Sequence, residues 1–342
     1  MYYPVVYIFG TTASGKTRLS IDIWEELNKK DIKSEIVNCD SMQLYKGFDI
    51  GTGKVSRDIK DRIPHHLLDI LEDTDECTVS RYISIATKTI DEIHARDSIP
   101  IVVGGSHMYI KGLIWRSLMD PTGQSPKIIT NLEHLSNDEL FTRLQILDPN
   151  RAKQLHCNDR RRVSRSLEIF YETGQTFNEN ISQYEFKLRY YPSILICIEN
   201  LQIEHYINLR VHNMVQDGIF NEVILLKERL IKNESSGILQ SIAYKEFKPA
   251  IDILETLEDT HNEVVKQCIK KLQLKTLQYS RKQRKYIKKH LMNTSTPVHK
   301  LVYKGTIIDN ISSNMDANYL NDDLMWYNDI VMPAIKLIID II

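Results

Sequence analysis

Apolar residues in the first third of the chain fall in short runs separated by polar loops. Residues 5–9 form a continuous apolar run, which is typical of a buried strand. After a loop with two glycines, apolar residues recur at helical spacing from 19 to 27. Further strands are predicted at 35–38 and 99–103, with a helix at 79–96 between them. This alternation predicts an α/β fold with a mostly parallel sheet flanked by helices.

The pattern changes near residue 120, where a segment rich in turn-forming residues begins. From 131 to about 183 the pattern is helical, and Ser136 with Glu139 forms a predicted capping box. A strand pattern returns at 193–198. Long helices are predicted after it, at about 203–232, 241–256 and 260–290.

These changes divide the chain into four predicted parts. They are the first part of an α/β core (1–119), an inserted all-helical domain (120–190), a mostly helical return to the core (191–292) and a C-terminal extension of unassigned role (293–342). The apolar end of that extension, from 332 to 342, is predicted to pack as a helix on the body.

The net charge, the cysteine spacing and the length of the apolar runs limit which classes of function are possible. The formal net charge is −1, so any nucleic-acid contact must come from local basic patches. None of the five cysteines lies in a CxxC spacing, which argues against a zinc site and a disulfide framework and suits a reducing compartment. No run of 18 uncharged apolar residues occurs, so we expect no membrane span.

A P-loop lies between the first strand and the first helix. Its pattern is Gly-x-x-x-x-Gly-Lys-Thr, in which the glycines turn the backbone amides inward and the helix N-terminus adds positive potential. Lys16 is expected to reach the terminal phosphates, and the Thr17 hydroxyl to ligate Mg²⁺. The residues predicted to bind this phosphate chain are Gly10, Thr11, Thr12, Ala13, Ser14, Gly15, Lys16 and Thr17.

The acidic residue of this site is predicted at an unusual place. A P-loop ATPase usually carries an apolar strand that ends in Asp, but here the strand at 99–103 ends in Gly104 and Gly105. The acidic candidate, Asp40, follows the second strand instead. Because carboxyl ends of parallel strands meet at the ligand crevice, we expect Gly10, Asp40 and Gly104 around one pocket.

Several segments carry a family resemblance. In the first third of the chain they are Gly10 to Thr17, Asp40-Ser-Met-Gln-Leu-Tyr45, Asp49-Ile-Gly-Thr52, Ile63-Pro-His-His-Leu67 and Val102-Val-Gly-Gly-Ser106. Later ones are Asp159-Arg-Arg-Arg162, Arg165-Ser-Leu-Glu168, Thr173-Gly174, Gly218 with Glu222, Tyr244-Lys-Glu-Phe247, Thr276, Gln278-Tyr279 and Gln283. In this order they resemble the tRNA dimethylallyltransferase (tRNA isopentenyltransferase) family, over about residues 4 to 290.

The resemblance implies a prenyl transfer. Dimethylallyl diphosphate would give its five-carbon group to N6 of the adenosine immediately 3′ of the tRNA anticodon, with Mg²⁺ assisting and diphosphate leaving. Asp40 is then the expected general base; the alternative is that Asp40 caps the next helix. The expected catalytic residues are Asp40, Lys16, Thr17, Arg210 and Ser106.

The tRNA contacts are expected at the pocket and on two basic clusters. Gln43 would pair with the adenine edge, and basic residues interleaved with tyrosines suit single-stranded loop RNA. The alternative is that each cluster is only a solvated face. The predicted tRNA-binding residues are Asp40, Ser41, Met42, Gln43, Arg161, Arg162, Val163, Ser164, Arg165, Arg281 and Gln283.

Four positions depart from the family pattern: Tyr206, His212, Ala243 and Leu277. Three other functions stay open, namely prenyl transfer to free AMP, ADP or ATP, a small-molecule kinase, and a non-catalytic RNA-binding descendant. The arginine cluster argues against the first, and the intact Lys16 and Asp40 against the last. We expect a cytoplasmic monomer, with the mitochondrial matrix as the alternative location, and no zinc.

Overall fold

The computed structural model describes residues 3–116, 132–179, 187–257, 262–304 and 322–342. The chain divides into two compact units. Residues 1–114 and 190–342 form the larger, and residues 115–189 form the smaller.

The larger unit is built on a six-stranded sheet whose pairs are all parallel, in the order β3-β2-β4-β1-β5-β6. This confirms the predicted α/β fold with a parallel sheet. The strands are β1 (Val5–Gly10), β2 (Ser34–Asn38), β3 (His65–His66), β4 (Ile99–Gly104), β5 (Ser193–Asn200) and β6 (Val298–Tyr303).

The two central strands, β1 and β4, are buried along their whole length. Helices cover both faces of a parallel sheet, so a central strand needs apolar residues on both sides. This explains the continuous apolar runs in the sequence. Because β1, β2 and β4 run parallel, their carboxyl ends lie at the same edge of the sheet.

The α-helices with defined bounds lie before, within and after the insertion. Those of the larger unit before the insertion are α1 (Lys16–Asn28), α2 (Asp49–Thr52), α3 (Arg57–Arg62), α4 (Val79–Ala95) and α5 (His107–Ile114). Those of the smaller unit are α6 (Asn137–Leu147), α7 (Pro149–Ala152) and α8 (Arg160–Thr173). The remainder are α9 (Ile203–Gln216), α10 (Ile219–Leu225), α11 (Lys227–Ile231), α12 (Ile242–Lys245), α13 (Ile251–Leu257), α14 (Glu263–His290) and α15 (Met332–Ile339).

Two predicted long helices were wrong. The segment 203–232 is divided into α9, α10 and α11. Gly218 has φ +94° and interrupts the helical backbone between α9 and α10, and the second break falls at Leu226. The segment 241–256 is divided into α12, a 3₁₀ turn and α13. Apolar residues continue at helical spacing across these breaks, so periodicity alone did not locate them.

The C-terminal extension contributes an edge strand and a helix to the larger unit. The strand β6 pairs with β5 from Leu195–Val298 to Asn200–Tyr303, although no strand was predicted there. The predicted terminal helix is present as α15, whose Ala334, Ile335 and Ile338 are buried.

The smaller unit has its own apolar core between α6 and α8, formed around Leu140, Leu144, Val163 and Leu167. The predicted capping box is present, since Ser136 Oγ accepts the Glu139 amide hydrogen and the Glu139 side chain reaches back to the Ser136 amide. Among the residues that the structure describes, no helix is both long and apolar enough to cross a bilayer.

Candidate active site

The P-loop connects the end of β1 to the first turn of α1. Gly15 has φ +95° and directly precedes the helix, so a glycine is needed there. Gly10 is needed for a different reason, since a Cβ on it would lie 2.4 Å from the Ile198 carbonyl oxygen of the neighbouring strand. The loop backbone is thus bent around the N-terminus of a helix, which is a favourable place for an anion.

Lys16 places a cation inside this loop. Its Nζ donates a hydrogen bond to the Thr11 carbonyl at 2.6 Å. Burial lowers the pKa of Lys16 to about 8, with the Asp40 charge opposing this shift and the Arg210 charge adding to it. A bound diphosphate would supply the negative charge that favours the ammonium form.

Asp40 lies at the end of β2, where its backbone is held firmly. The Asn38 side chain accepts the Asp40 amide hydrogen at 3.0 Å and donates to the Asp40 carbonyl at 3.1 Å. Oδ1 of Asp40 accepts from the Met42 amide at 3.0 Å, which is a local Asx turn. No helix begins until Asp49, so Asp40 is not a helix cap.

The ends of β2 and β4 approach each other at Gly104, where a Cβ would lie 1.9 Å from the Cys39 carbonyl oxygen. One residue further on, three functional groups surround Gly105. A Cβ there would lie 3.4 Å from Asp40 Oδ2, 3.2 Å from Gln283 Nε2 and 3.9 Å from Lys16 Nζ. The structure therefore brings Lys16 and Asp40 together at the predicted sheet edge.

Arg210 extends from α9 to the same place. Its Nη2 donates to the Thr52 carbonyl at 3.3 Å, and its Nη1 lies 3.5 Å from Thr12 Oγ1. Burial lowers the pKa of Arg210, and Asp40 opposes this shift. A guanidinium remains charged under such a shift, so Arg210 adds a second cation beside the P-loop.

Two cavities meet at Asp40. The first is lined by the P-loop residues Thr12, Lys16 and Thr17 and continues to the apolar side chains of Ile36, Val55, Leu68 and Val103. The second, of about 320 Å³, is lined by polar and apolar groups that include Ser41, Met42, Ser241 and Thr276. Both are lined by Thr12, Asp40, Thr52, Arg210 and Tyr279. The carboxylate therefore faces both the P-loop cavity and the neighbouring one.

Comparison with known proteins identifies the family. The model of the IPP transferase family matches residues 43–290. The tRNA dimethylallyltransferase of Anoxybacillus flavithermus is 35% identical over 280 residues, which are 82% of this chain and 85% of the relative. The chain belongs to the IPP transferase family. Bacillus subtilis tRNA dimethylallyltransferase is 30% identical over 322 residues, covering 92% of this chain and 98% of the relative.

Solved structures agree with this assignment. A eukaryotic dimethylallyltransferase acting on tRNA superposes with a TM-score of 0.80 at 28% identity, covering 97% of this chain and 78% of that one. The tRNA isopentenylpyrophosphate transferase of Staphylococcus epidermidis superposes with a TM-score of 0.57 at 33% identity, covering 87% of this chain and 93% of that one.

Several residues that were predicted to contact a ligand also form hydrogen bonds within the protein. The Ser106 hydroxyl accepts from the Ser41 amide at 2.8 Å and lies 3.0 Å from the Ser41 hydroxyl, so it helps to fix the loop after Asp40, and its predicted catalytic role stays a prediction. Gln43 Nε2 donates to the Thr52 and Gly53 carbonyls at 3.3 and 3.0 Å, and the contact of its side chain with adenine stays a prediction.

Gln283 was predicted to contact tRNA, but it is only 5% exposed. Its Oε1 accepts from the Thr12 amide at 2.8 Å, and its Nε2 donates to the Gly105 carbonyl at 3.0 Å. The side chain of Gln283 therefore joins the P-loop to the end of β4.

The arginine cluster of the smaller unit divides into structural and exposed members. Arg160 donates to the carbonyls of Leu132, Glu133 and Leu135, so it holds the segment before α6. Arg161, Arg162 and Arg165 are exposed on α8. The last two form ion pairs at helical spacing, with Asp159 and Glu168, and such exposed pairs cost little to break.

Val163 is fully buried in the core of the smaller unit, so its side chain cannot contact RNA, and Ser164 is half-buried on the same helix. In the larger unit, Arg281 is exposed on α14, two residues after Tyr279. Its neighbour Arg284 forms an ion pair with Glu199, so not every basic residue of α14 is available to a ligand.

A buried carboxylate that sequence reasoning left without a role shapes the other side of the site. Glu222 accepts from the Ile50 and Gly51 amides, each at 2.8 Å, and from the Tyr244 hydroxyl at 2.9 Å. The sequence signal was the pairing of Gly218 with Glu222 and the Tyr244 motif. These contacts fix α2, whose end supplies the carbonyls that Gln43 and Arg210 bind.

The described residues contain no group of three or more His, Cys, Asp or Glu side chains that could hold a metal. Mg²⁺ would not require such a group, since it retains several waters and takes one or two protein oxygens with substrate phosphates. The Thr17 hydroxyl lies at the first turn of α1 and lines the cavity with Lys16, so the donor set fits a diphosphate-bound Mg²⁺.

Proposed function

We propose that this protein transfers a dimethylallyl group from dimethylallyl diphosphate to N6 of the adenosine immediately 3′ of the anticodon in tRNA. The position of Asp40 carries this proposal, because the carboxylate lines both the P-loop cavity and the cavity beside it. A base that lines both cavities can contact the substrate bound in each of them.

The diphosphate belongs in the first cavity. Lys16, Arg210 and the loop amides supply positive charge and fixed donors for the leaving group, and the apolar side chains of Ile36, Val55 and Val103 suit the five-carbon prenyl group. Thr17 would hold Mg²⁺ together with diphosphate oxygens and water. The metal supplies charge that offsets the negative charge of the leaving diphosphate.

The adenine belongs in the second cavity. An exocyclic aromatic amine is a weak nucleophile because its lone pair is delocalised into the ring. As N6 forms its bond to the first carbon of the prenyl group, the carbon–oxygen bond breaks and the diphosphate leaves with the bonding electrons. Asp40 takes the proton that N6 loses. The adenosine must leave its stack to reach this position.

The tRNA anticodon stem-loop is the proposed macromolecular partner. The exposed arginines Arg161, Arg162 and Arg165 and the exposed Arg281 supply phosphate contacts. We propose that the protein acts as a monomer. All five cysteines are free thiols, which fits a reducing compartment such as the cytoplasm or the mitochondrial matrix.

The product defines the test. Purified protein, Mg²⁺ and dimethylallyl diphosphate are incubated with an unmodified tRNA transcript that has A next to the anticodon. The RNA is then digested and analysed by mass spectrometry. We expect a prenylated adenosine at that position alone. An unmodified transcript, or a product on another nucleotide, would contradict the proposal.

A further inference from the structure

The C-terminal segment 322–342 lies against the helix that carries the P-loop. Residues 322–326 are helical and continue through a π-helical turn, Tyr327–Val331, into α15. Ile330, Val331 and Ile335 share one apolar cluster with Leu19 and Ile23 of α1. The segment also bonds to α9 and β6, since both Tyr206 and Tyr303 hydrogen-bond to Asp322. Tyr206 is one of the positions that depart from the family pattern.

Trp326 is the residue of this segment that reaches the P-loop itself. It is 3% exposed, and the six-membered part of its indole lies directly on Gly15. A Cβ on Gly15 would be 2.5 Å from Cη2 and 2.8 Å from Cζ3 of the ring. The ring is therefore in contact with the backbone at the one loop residue that has φ +95° and precedes Lys16.

Three contacts hold the indole in this position. Its Nε1–H donates to Asp22 Oδ2 at 2.7 Å, the Arg18 guanidinium lies 4.8 Å above the ring centroid, and the Tyr303 ring meets it edge-on at 5.1 Å. Arg18 in turn donates to Asp323 Oδ1 at 2.5 Å. The two residues from α1 and one from β6 thus fix a ring whose free edge faces Gly15.

Two other side chains bond to the P-loop, at Thr12 and Ala13. Gln283 binds the Thr12 amide, and Asn200 Nδ2 donates to the Ala13 carbonyl at 3.4 Å. Neither contact reaches Gly15. A diphosphate is bound by donors whose directions are set by the backbone, and displacement of such donors by a fraction of an ångström weakens binding.

We propose that Trp326 is a positioning residue for the diphosphate: its ring fixes Gly15 and the first turn of α1, so that the C-terminal segment governs the affinity for diphosphate. This inference deepens the proposed function and rests on its assignment of the P-loop to a diphosphate. It gives the extension 293–342 a role at the small-substrate side of the reaction.

Two substitutions separate this role from general stabilisation. Trp326→Phe keeps an aromatic side chain packed in the apolar cluster. The smaller phenyl ring no longer reaches Gly15, and it lacks the Nε1–H. Ile335→Ala is the matched control, because Ile335 is 6% exposed in the same cluster and is not among the atoms nearest Gly15. Ile335→Ala should lower the thermal unfolding midpoint at least as much as Trp326→Phe does.

The measurement is calorimetric binding of inorganic diphosphate with Mg²⁺ to the purified full-length protein, well below the unfolding midpoint of each variant. Trp326→Phe should raise the Kd about 5- to 10-fold through loss of preorganisation, whereas Ile335→Ala should leave it within about twofold. An unchanged Kd in Trp326→Phe, or an equal rise in Ile335→Ala, would overturn the proposal.

The same variants distinguish this inference from the proposed function. With tRNA as acceptor, Trp326→Phe should raise the KM for dimethylallyl diphosphate by the same factor and leave the KM for tRNA unchanged. If the wild-type protein binds diphosphate as described but does not prenylate tRNA, the proposed function fails and the positioning role of Trp326 still stands.

Discussion

Asp40 receives its position from the backbone around it and its chemical role from the two cavities that it faces. Asn38 holds both its amide and its carbonyl, and the Met42 amide occupies Oδ1, so the carboxylate has little freedom to turn. Oδ2 points toward Gly105 and lies near Lys16. In the proposed reaction, a carboxylate held in this way would accept the proton from a fixed direction.

Asp40→Asn tests the base directly. The amide oxygen of Asn can still accept from Met42, so the loop should keep its conformation, but the side chain cannot take a proton. We expect turnover to fall about 10²- to 10⁴-fold, while the Kd for tRNA stays within a few-fold. Single-turnover rates and filter binding measure the two quantities. Turnover close to that of the wild type would remove Asp40 as the base.

Gln283, which the sequence placed at the tRNA contact, joins the P-loop to the end of β4 within the protein. Gln283→Leu should leave the half-buried Thr12 amide and the buried Gly105 carbonyl without this partner. We expect a loss of about 1–3 kcal/mol in the free energy of unfolding, together with weaker diphosphate binding, measured by urea unfolding and calorimetry. Gln278→Leu on the exposed face of α14 is the control. Equal effects from both substitutions would contradict the role of Gln283 in joining the P-loop to the end of β4.

At the residue scale, the P-loop and Asp40 were predictable because each has a local signature next to a strand end. The bonds of Ser106, Gln43 and Gln283 were not. Gln283 meets Thr12 across 271 positions of the chain, and no local pattern specifies such a contact. A polar side chain in a motif therefore identifies a site more reliably than it identifies a ligand.

At the scale of elements, the buried strands were the most predictable feature. Central strands such as β1 and β4 need apolar residues on both faces. The edge strand β3 has only two residues, and β6 mixes apolar and polar residues on a half-buried edge. Neither has a distinctive pattern, so both were missed. Helix breaks such as the one at Gly218 depend on backbone conformation, which apolar spacing does not report.

Helix α8 presents the exposed arginines, and their contribution to RNA binding can be tested as a group. Replacing Arg161, Arg162 and Arg165 with Glu should weaken tRNA binding and reduce the slope of log K against log salt by about 2 to 3. The first turns of α8 should remain folded, because the buried side chains of Val163 and Leu167 are unchanged.

The control makes the same change in net charge elsewhere, at Lys30, Lys33 and Lys88, which are exposed on the larger unit. Fluorescence anisotropy with an anticodon stem-loop, over a series of salt concentrations, measures the slope. If the control lowers affinity and slope as much as the arginine variant does, α8 is not the specific contact and only net charge matters.

At the scale of the whole molecule, a nearly neutral chain carries its basic residues on particular helices. The formal net charge of −1 excludes affinity for RNA through overall charge, so binding must depend on local surfaces. The fold class was predictable from alternating strands and helices. The contact between the C-terminal segment and the P-loop was not, because it joins residues about 300 positions apart through one tryptophan.

The central claim concerns the acceptor of the prenyl group. The most direct measurement supplies Mg²⁺ and labelled dimethylallyl diphosphate to the purified protein, with either unmodified tRNA or AMP. The account predicts label in the tRNA, and loss of that label when the adenosine next to the anticodon is changed to guanosine. Label in AMP alone would contradict the account, and would reduce the arginines of α8 to a solvated helix face.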